Sequence, residues 1–194
     1  MSVSTKWVIA QYWNGQPELE RQVFAPHLED LSHACCFACG YFSERWERAT
    51  PRASWERAAL ERAHIVPAGL GGADQTSNII LLCPPCHRDS PDWHDPWEMA
   101  IWISRRAERP SHGIEQASMW LDAAKAVPHF MATLGAFDTR GGTEEQALTV
   151  MREAVRKAVV HGGKEGGLSQ ATMEAVLRHT ARELERPERG RGRA

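Results

Sequence analysis

Two Cys-x-x-Cys pairs constrain this chain more than any other feature: Cys36 with Cys39, and Cys83 with Cys86. Each pair spans a single turn and presents two sulfurs to the same side. Four thiolates from two such turns make a tetrahedral metal site. Thiolate donors suit zinc, with an iron site of the rubredoxin type as the alternative. Such a site ties two distant segments together, and its binding energy becomes folding energy. One pair alone could be a redox couple, but that use accompanies a βαβ pattern absent from this sequence. The fifth cysteine, Cys35, reads as a small buried or half-exposed thiol. A slipped pair of Cys35 with Cys39 also falls within known ligand spacings.

Composition sets the surroundings of that site. The chain has 194 residues, 42% hydrophobic and 25% charged, which is globular usage and excludes a disordered chain, a collagen or a pure coiled coil. No apolar run approaches the ~18 residues of a membrane span. Residues 1–17 lack the pattern of a secretory signal, so the expected compartment is the cytoplasm, where disulfides are rare. The formal net charge of −2 and pI near 6.5 argue against a protein that coats nucleic acid nonspecifically. Any basic surface must be local.

Between the cysteine pairs, residues 60–67 read LERAHIVP, with His64 on a short strand. A turn-rich loop with Gly69, Gly71 and Gly72 follows and ends at Asn78. The glycines read as turn geometry, because no Lys-Ser/Thr follows as a P-loop requires. An apolar run at 79–83 predicts a buried strand, and His87 stands directly after Cys86 at the opening of a helix.

In this order and spacing the segment from Cys36 to about Trp102 resembles a zinc-stabilised, four-cysteine HNH endonuclease. The resemblance rests on the first cysteine pair, Ala63-His64-Ile65-Val66-Pro67, Gly71-Gly72, Asn78 to Cys83, and Cys86-His87. It implies an α+β fold with a small ββα-metal core, flanked by helices, and hydrolysis of nucleic-acid phosphodiesters. It also implies roles. His64 is the general base, Asn78 orients its imidazole or contributes to the metal site, and His87 ligates a catalytic divalent ion such as Mg²⁺. Cys36, Cys39, Cys83 and Cys86 hold a structural zinc whose closed shell cannot activate water. Where many members carry Asp or His before the base, this chain has Ala63. The nearby substitutes are Glu61, on the same strand face by period-2 alternation, or Asp89, Asp92 or His94 after His87.

Such chemistry needs a base to activate water and a cation to stabilise the leaving oxygen. Arg57, Arg62 and Arg88 are the candidate phosphate contacts. Arg45, Arg48, Arg52, Arg57 and Arg62 alternate with glutamates, however, and read equally as a solvated, salt-bridged face. Trp46 and Trp55 suit base stacking or core packing.

Elsewhere the sequence predicts a short helix within 18–33, interrupted at Pro26, and a helix capped by Asp95-Pro96-Trp97-Glu98 and closed by Arg105 and Arg106. Further helices are predicted from Ile114 to about Val127, broken by Pro128, from a Thr143–Gln146 capping box to about Val160, stopped by Gly162-Gly163 and Gly166-Gly167, and from Ser169 to about Glu185. Leu148, Met151, Val155 and Val159 form one apolar stripe; Met173, Val176, Leu177 and Leu184 form another. The domains expected are a nuclease unit at 1–110, a helical extension at 111–186 and a basic, disordered tail at 187–194. DNA is the expected partner, without a membrane, and the C-terminal helices could contact a protein partner or a second copy. The rival functions are a noncatalytic zinc module that binds nucleic acid or protein, and a structural zinc protein within an assembly.

Overall fold

A computed structural model describes residues 4–162 and 168–186, the side chains of 159–162 excepted. The chain divides into two compact units, Met1–Ile114 and Glu115–Ala194.

In the first unit, helix α1 (Lys6–Asn14) starts at Thr5, whose side chain accepts from the Val8 N–H, and buries Ile9, Ala10 and Trp13. Helix α2 (Glu18–Phe24) is shorter than the expected span. Pro26 restricts Ala25 before it, so the chain leaves the helix there and 25–33 is irregular. Helix α3 (Pro51–Arg57), capped by Thr50 with Pro51 at its first position, was not anticipated from periodicity.

Strands β1 (Glu61–His64) and β2 (Ile79–Leu82) pair antiparallel, with Glu61 opposite Leu82, Ala63 opposite Ile80 and His64 opposite Ile79. All four residues of β2 are buried, which explains its continuous apolar run. Two strands alone are marginal in water. Here the Trp13 indole N–H donates to the Ile79 carbonyl at 2.7 Å, and the Phe37 N–H donates to the Leu81 carbonyl at 2.9 Å. Helix α4 (Pro84–Asp89) follows directly, and α5 (Pro96–Ala107) begins with Asp95 accepting from the Trp97 N–H at 3.0 Å. His87 therefore lies late in the short helix α4 rather than at the opening of a longer one.

Trp55 and Trp46 belong to the core. Trp55 donates to the Leu31 carbonyl at 3.0 Å, and Trp46 packs edge-on against Tyr41, which removes both from base stacking. Arg106 is buried as well and donates to the Pro110 carbonyl at 2.9 Å, instead of standing exposed at the helix end.

The second unit is helical. Helix α6 (His112–Ala126) enters it, followed by α7 (Pro128–Thr139), α8 (Glu144–Gly162) and α9 (Gln170–Glu185). Pro128 ends α6 and also opens α7, a helix the sequence reading left out, because proline suits a first helical position. The Thr143–Gln146 box forms reciprocally, at 2.8 and 3.3 Å, and Ser169 caps α9. Met173, Val176, Leu177 and Leu184 are buried. The α8 stripe differs: Ala154 is the buried residue, Leu148 is exposed, and the Val159 side chain lies outside the described residues. The expected Gly163 and Gly166-Gly167 stops and the 187–194 tail also lie outside them.

Candidate metal centre and active site

The first cysteine turn is closed by the Gly40 N–H on the Cys36 carbonyl at 2.9 Å. Gly40 has φ +68°, and a Cβ there would lie 2.9 Å from His27 Nδ1, so glycine is needed on both counts. The second turn is the start of α4: Cys83 is its cap residue and Cys86 lies in its first turn. The sulfurs of Cys36, Cys39, Cys83 and Cys86 all lie within 4.8 Å of one another, with Cys39 and Cys83 at 3.8 Å. A zinc tetrahedron with bonds of about 2.3 Å has sulfur–sulfur edges of about 3.8 Å, so the donor set fits that ion.

Among themselves the thiols are unequal. Hydrogen bonds from Cys36, Cys83 and Cys86, with the backbone N–H of His112, hold Cys39 well below the usual thiol range. Cys83 and Cys86 are pushed up, first by Cys36. Burial raises Cys36, but hydrogen bonds from Cys83 and Cys86 carry it below the usual thiol range, so the first pair ionises more readily than the second, an imbalance that a bound cation relieves. Cys35 stands outside the group. Its thiol donates to the His27 carbonyl at 3.3 Å, and burial pushes it up to about 12. The expected Cys36–Cys39 pair therefore joins the cluster, and the slipped Cys35–Cys39 alternative does not.

On β1, Glu61 and Ala63 share one face. Ala63 is 1% exposed and brings no donor. Glu61, at the strand end, reaches α4, where its Oε2 lies 2.6 Å from His87 Nδ1. His64 Nε2 lies 3.5 Å from Asp74 Oδ1, an ion-pair distance without hydrogen-bond geometry.

Asn78 turns out to hold backbone, not imidazole. Its Oδ1 accepts from the Val66 N–H at 3.0 Å, and its Nδ2 donates to the Val66 and Ala73 carbonyls at 2.9 and 3.0 Å. The Asn78 carbonyl also accepts from the Ile65 N–H at 2.8 Å. Asn78 thus fixes the chain just after His64. Gly72 comes so close that a Cβ there would lie 1.7 Å from the Val66 oxygen. Gly71 has φ +94°, so these glycines serve turn geometry.

Glu61 and His87 line an open cleft of about 660 Å³ with Lys6, Arg62, Glu56, Thr5 and Leu60. Lys6 donates to the carbonyls of Ala58 and Glu56; burial lowers its proton affinity, Glu56 opposes this and Arg62 adds to it. Arg62 donates to the Ser4 carbonyl at 3.2 Å, while Arg57 and Arg88 are exposed. Asp89, Asp92 and His94 are exposed too, and the His94 ring packs against Trp93. The structure does not gather Asp92 into a ligand cluster: among the described residues the four cysteines are the only group of three or more ligating side chains. Sequence reasoning missed Asp74 and Lys6. Asp74 lay in plain view in the glycine loop, two residues after Gly72, whereas no spacing links Lys6 to β1.

Residues 49–91 match the model of the HNH endonuclease family. The matched segment contains β1, the glycine loop, β2 and α4, and it leaves out the first cysteine pair that completes the metal site. This recognition, with the four-cysteine cluster, supports a nuclease-type function acting on nucleic acid. Over 30 residues, 16% of the chain, the sequence is 53% identical to the type IV methyl-directed restriction enzyme EcoKMcrA of Escherichia coli strain K12. That stretch spans 11% of the enzyme's length. No solved structure matches. Among the described residues, no helix is long and apolar enough to cross a membrane.

Proposed function

We propose that this protein is a metal-dependent endonuclease that hydrolyses phosphodiester bonds in nucleic acid, with DNA as substrate. The observation that carries the reading is the Glu61–His87 pair inside the segment that matches the HNH family. Two protein donors suit a cation that keeps several waters and completes its shell with substrate oxygens, as Mg²⁺ does. Glu61 and His87 would hold it, and it would supply charge stabilisation at the scissile phosphate. Glu61 thus takes the place that Ala63 leaves empty.

The remaining roles belong to the chain's own side chains. His64 takes the proton of the attacking water as general base. Asp74 stands beside Nε2 to balance the imidazolium that results. Asn78 keeps the strand end still, so the imidazole meets substrate in one position. Arg57, Arg62 and Arg88 contact phosphates and set the register of the strand without reading its sequence. The four cysteines hold zinc, which would supply a fixed cross-link between the two turns and no chemistry.

A second reading, a noncatalytic zinc module that binds nucleic acid or protein, draws on the buried Ala63. Nicking of supercoiled plasmid by the zinc-loaded protein, with and without Mg²⁺ or Mn²⁺, separates the two. Metal-dependent nicking supports the nuclease; binding without nicking under any ion supports the module.

A further inference from the structure

A second cleft, of about 510 Å³, is lined in part by the Asn78 loop. Its walls include three aromatic side chains, Trp13, Phe24 and Trp97. Trp13 and Phe24 are fixed against each other with ring centroids 5.5 Å apart, and the Trp13 N–H is engaged by the Ile79 carbonyl. Trp97 differs, since it is 65% exposed on the first turn of α5. A large apolar ring held open on a rigid helix is costly to leave in water and points to a flat apolar ligand.

Charge decides which part of a nucleic acid that ligand is. The lining contains one charged residue, Glu20, and no lysine or arginine. A phosphate would be repelled, whereas a base edge with N–H donors finds acceptors in Glu20 and Gln75. Position decides which base. Ile65 and Val66 line the cleft and directly follow His64, so at about 3.8 Å per residue the cleft lies within roughly a nucleotide's reach of the proposed base.

We propose that this cleft receives one unstacked nucleobase of the strand being cut, with Trp97 as its stacking face. The assignment rests on the nuclease reading above and adds to it a preference for strands with an unpaired base.

The test uses the zinc-loaded full chain without added divalent ion, and fluorescence anisotropy with three duplexes: fully paired, with a single-base bulge, and with the same bulge made abasic. The bulged duplex should bind about tenfold tighter than the abasic one, from stacking of one base. Trp97→Ala should erase that difference while leaving affinity for the abasic and paired duplexes unchanged, and Trp97→Phe should retain it. Equal binding of bulged and abasic duplexes by the parent protein would overturn the base pocket and leave the nuclease reading standing. A difference that survives Trp97→Ala, or a uniform loss across all three duplexes, also overturns it. If the parent binds none of the duplexes, the nuclease reading falls with it.

Discussion

Glu61 Oε2 and His87 Nδ1 stand 2.6 Å apart although the two residues belong to opposite ends of the ββα segment. The strand register causes this. Glu61 pairs with Leu82, the chain turns into α4 at Cys83, and His87 comes back over the strand end one turn later. In the function proposed, position 61 supplies the carboxylate that position 63 cannot.

Removing that carboxylate should weaken cation binding more than it weakens the protein. Glu61→Gln is expected to raise the Mg²⁺ or Mn²⁺ concentration for half-maximal nicking by on the order of tenfold or more. Both side chains are substantially exposed, so the melting temperature should stay within a degree or two of the parent. A titration of nicking rate against metal concentration checks this, and an unchanged midpoint would remove Glu61 from the cation site.

His64→Ala should lower the metal-dependent nicking rate by about 10²–10⁴-fold at saturating metal, the usual range for a general base. Asp74→Asn should cost less, because it removes only the group that balances the imidazolium. The rates are compared on supercoiled plasmid, and a His64→Ala enzyme as fast as the parent would end the mechanism proposed.

The cysteines divide four to one. Cys36→Ser should abolish stoichiometric zinc and sharply lower the melting temperature of the first unit, since metal binding there is folding energy. Cys35→Ser should leave about one zinc per chain, because its sulfur hydrogen-bonds to the His27 carbonyl, outside the cluster. Acidification acts in the direction of Cys36→Ser. Each thiol must lose its proton to ligate, so zinc affinity falls as pH drops. Metal analysis by mass spectrometry, with thermal melts at descending pH, reads both effects.

Asn78→Ala removes three side-chain hydrogen bonds from the loop after His64 and should cost about 1–3 kcal/mol. Gly72→Ala should act in the same direction, because its Cβ would collide with the Val66 oxygen. Gly69→Ala is the control: a Cβ there meets nothing within 4 Å, and stability should hold. Denaturant melts of the three variants rank them.

Local chemistry made some of this protein legible without a structure. The two cysteine turns, the Asp95-Pro96 helix start, the Thr143–Gln146 box and the buried stripe of α9 each depend on residues a few positions apart, where backbone geometry leaves few alternatives. Helices α1, α3 and α7 were not legible. The first two are short, and their apolar faces acquire meaning only against the sheet and the first cysteine turn. In α7, Pro128 read as a stop when it was also a start.

The site followed the same division. The order of His64, Asn78 and His87 is a property of the sequence, and so is the missing donor at Ala63. Period-2 alternation placed Glu61 on the face of Ala63 but could not tell whether it or Asp92 lies beside His87, because that depends on where α4 lands. Only the pairing of Glu61 with Leu82, and the immediate turn into α4, brought a carboxylate to His87. The same packing sent Trp55 into the core and left Trp97 in water. Composition treats those two tryptophans alike; the sheet and helices around them do not.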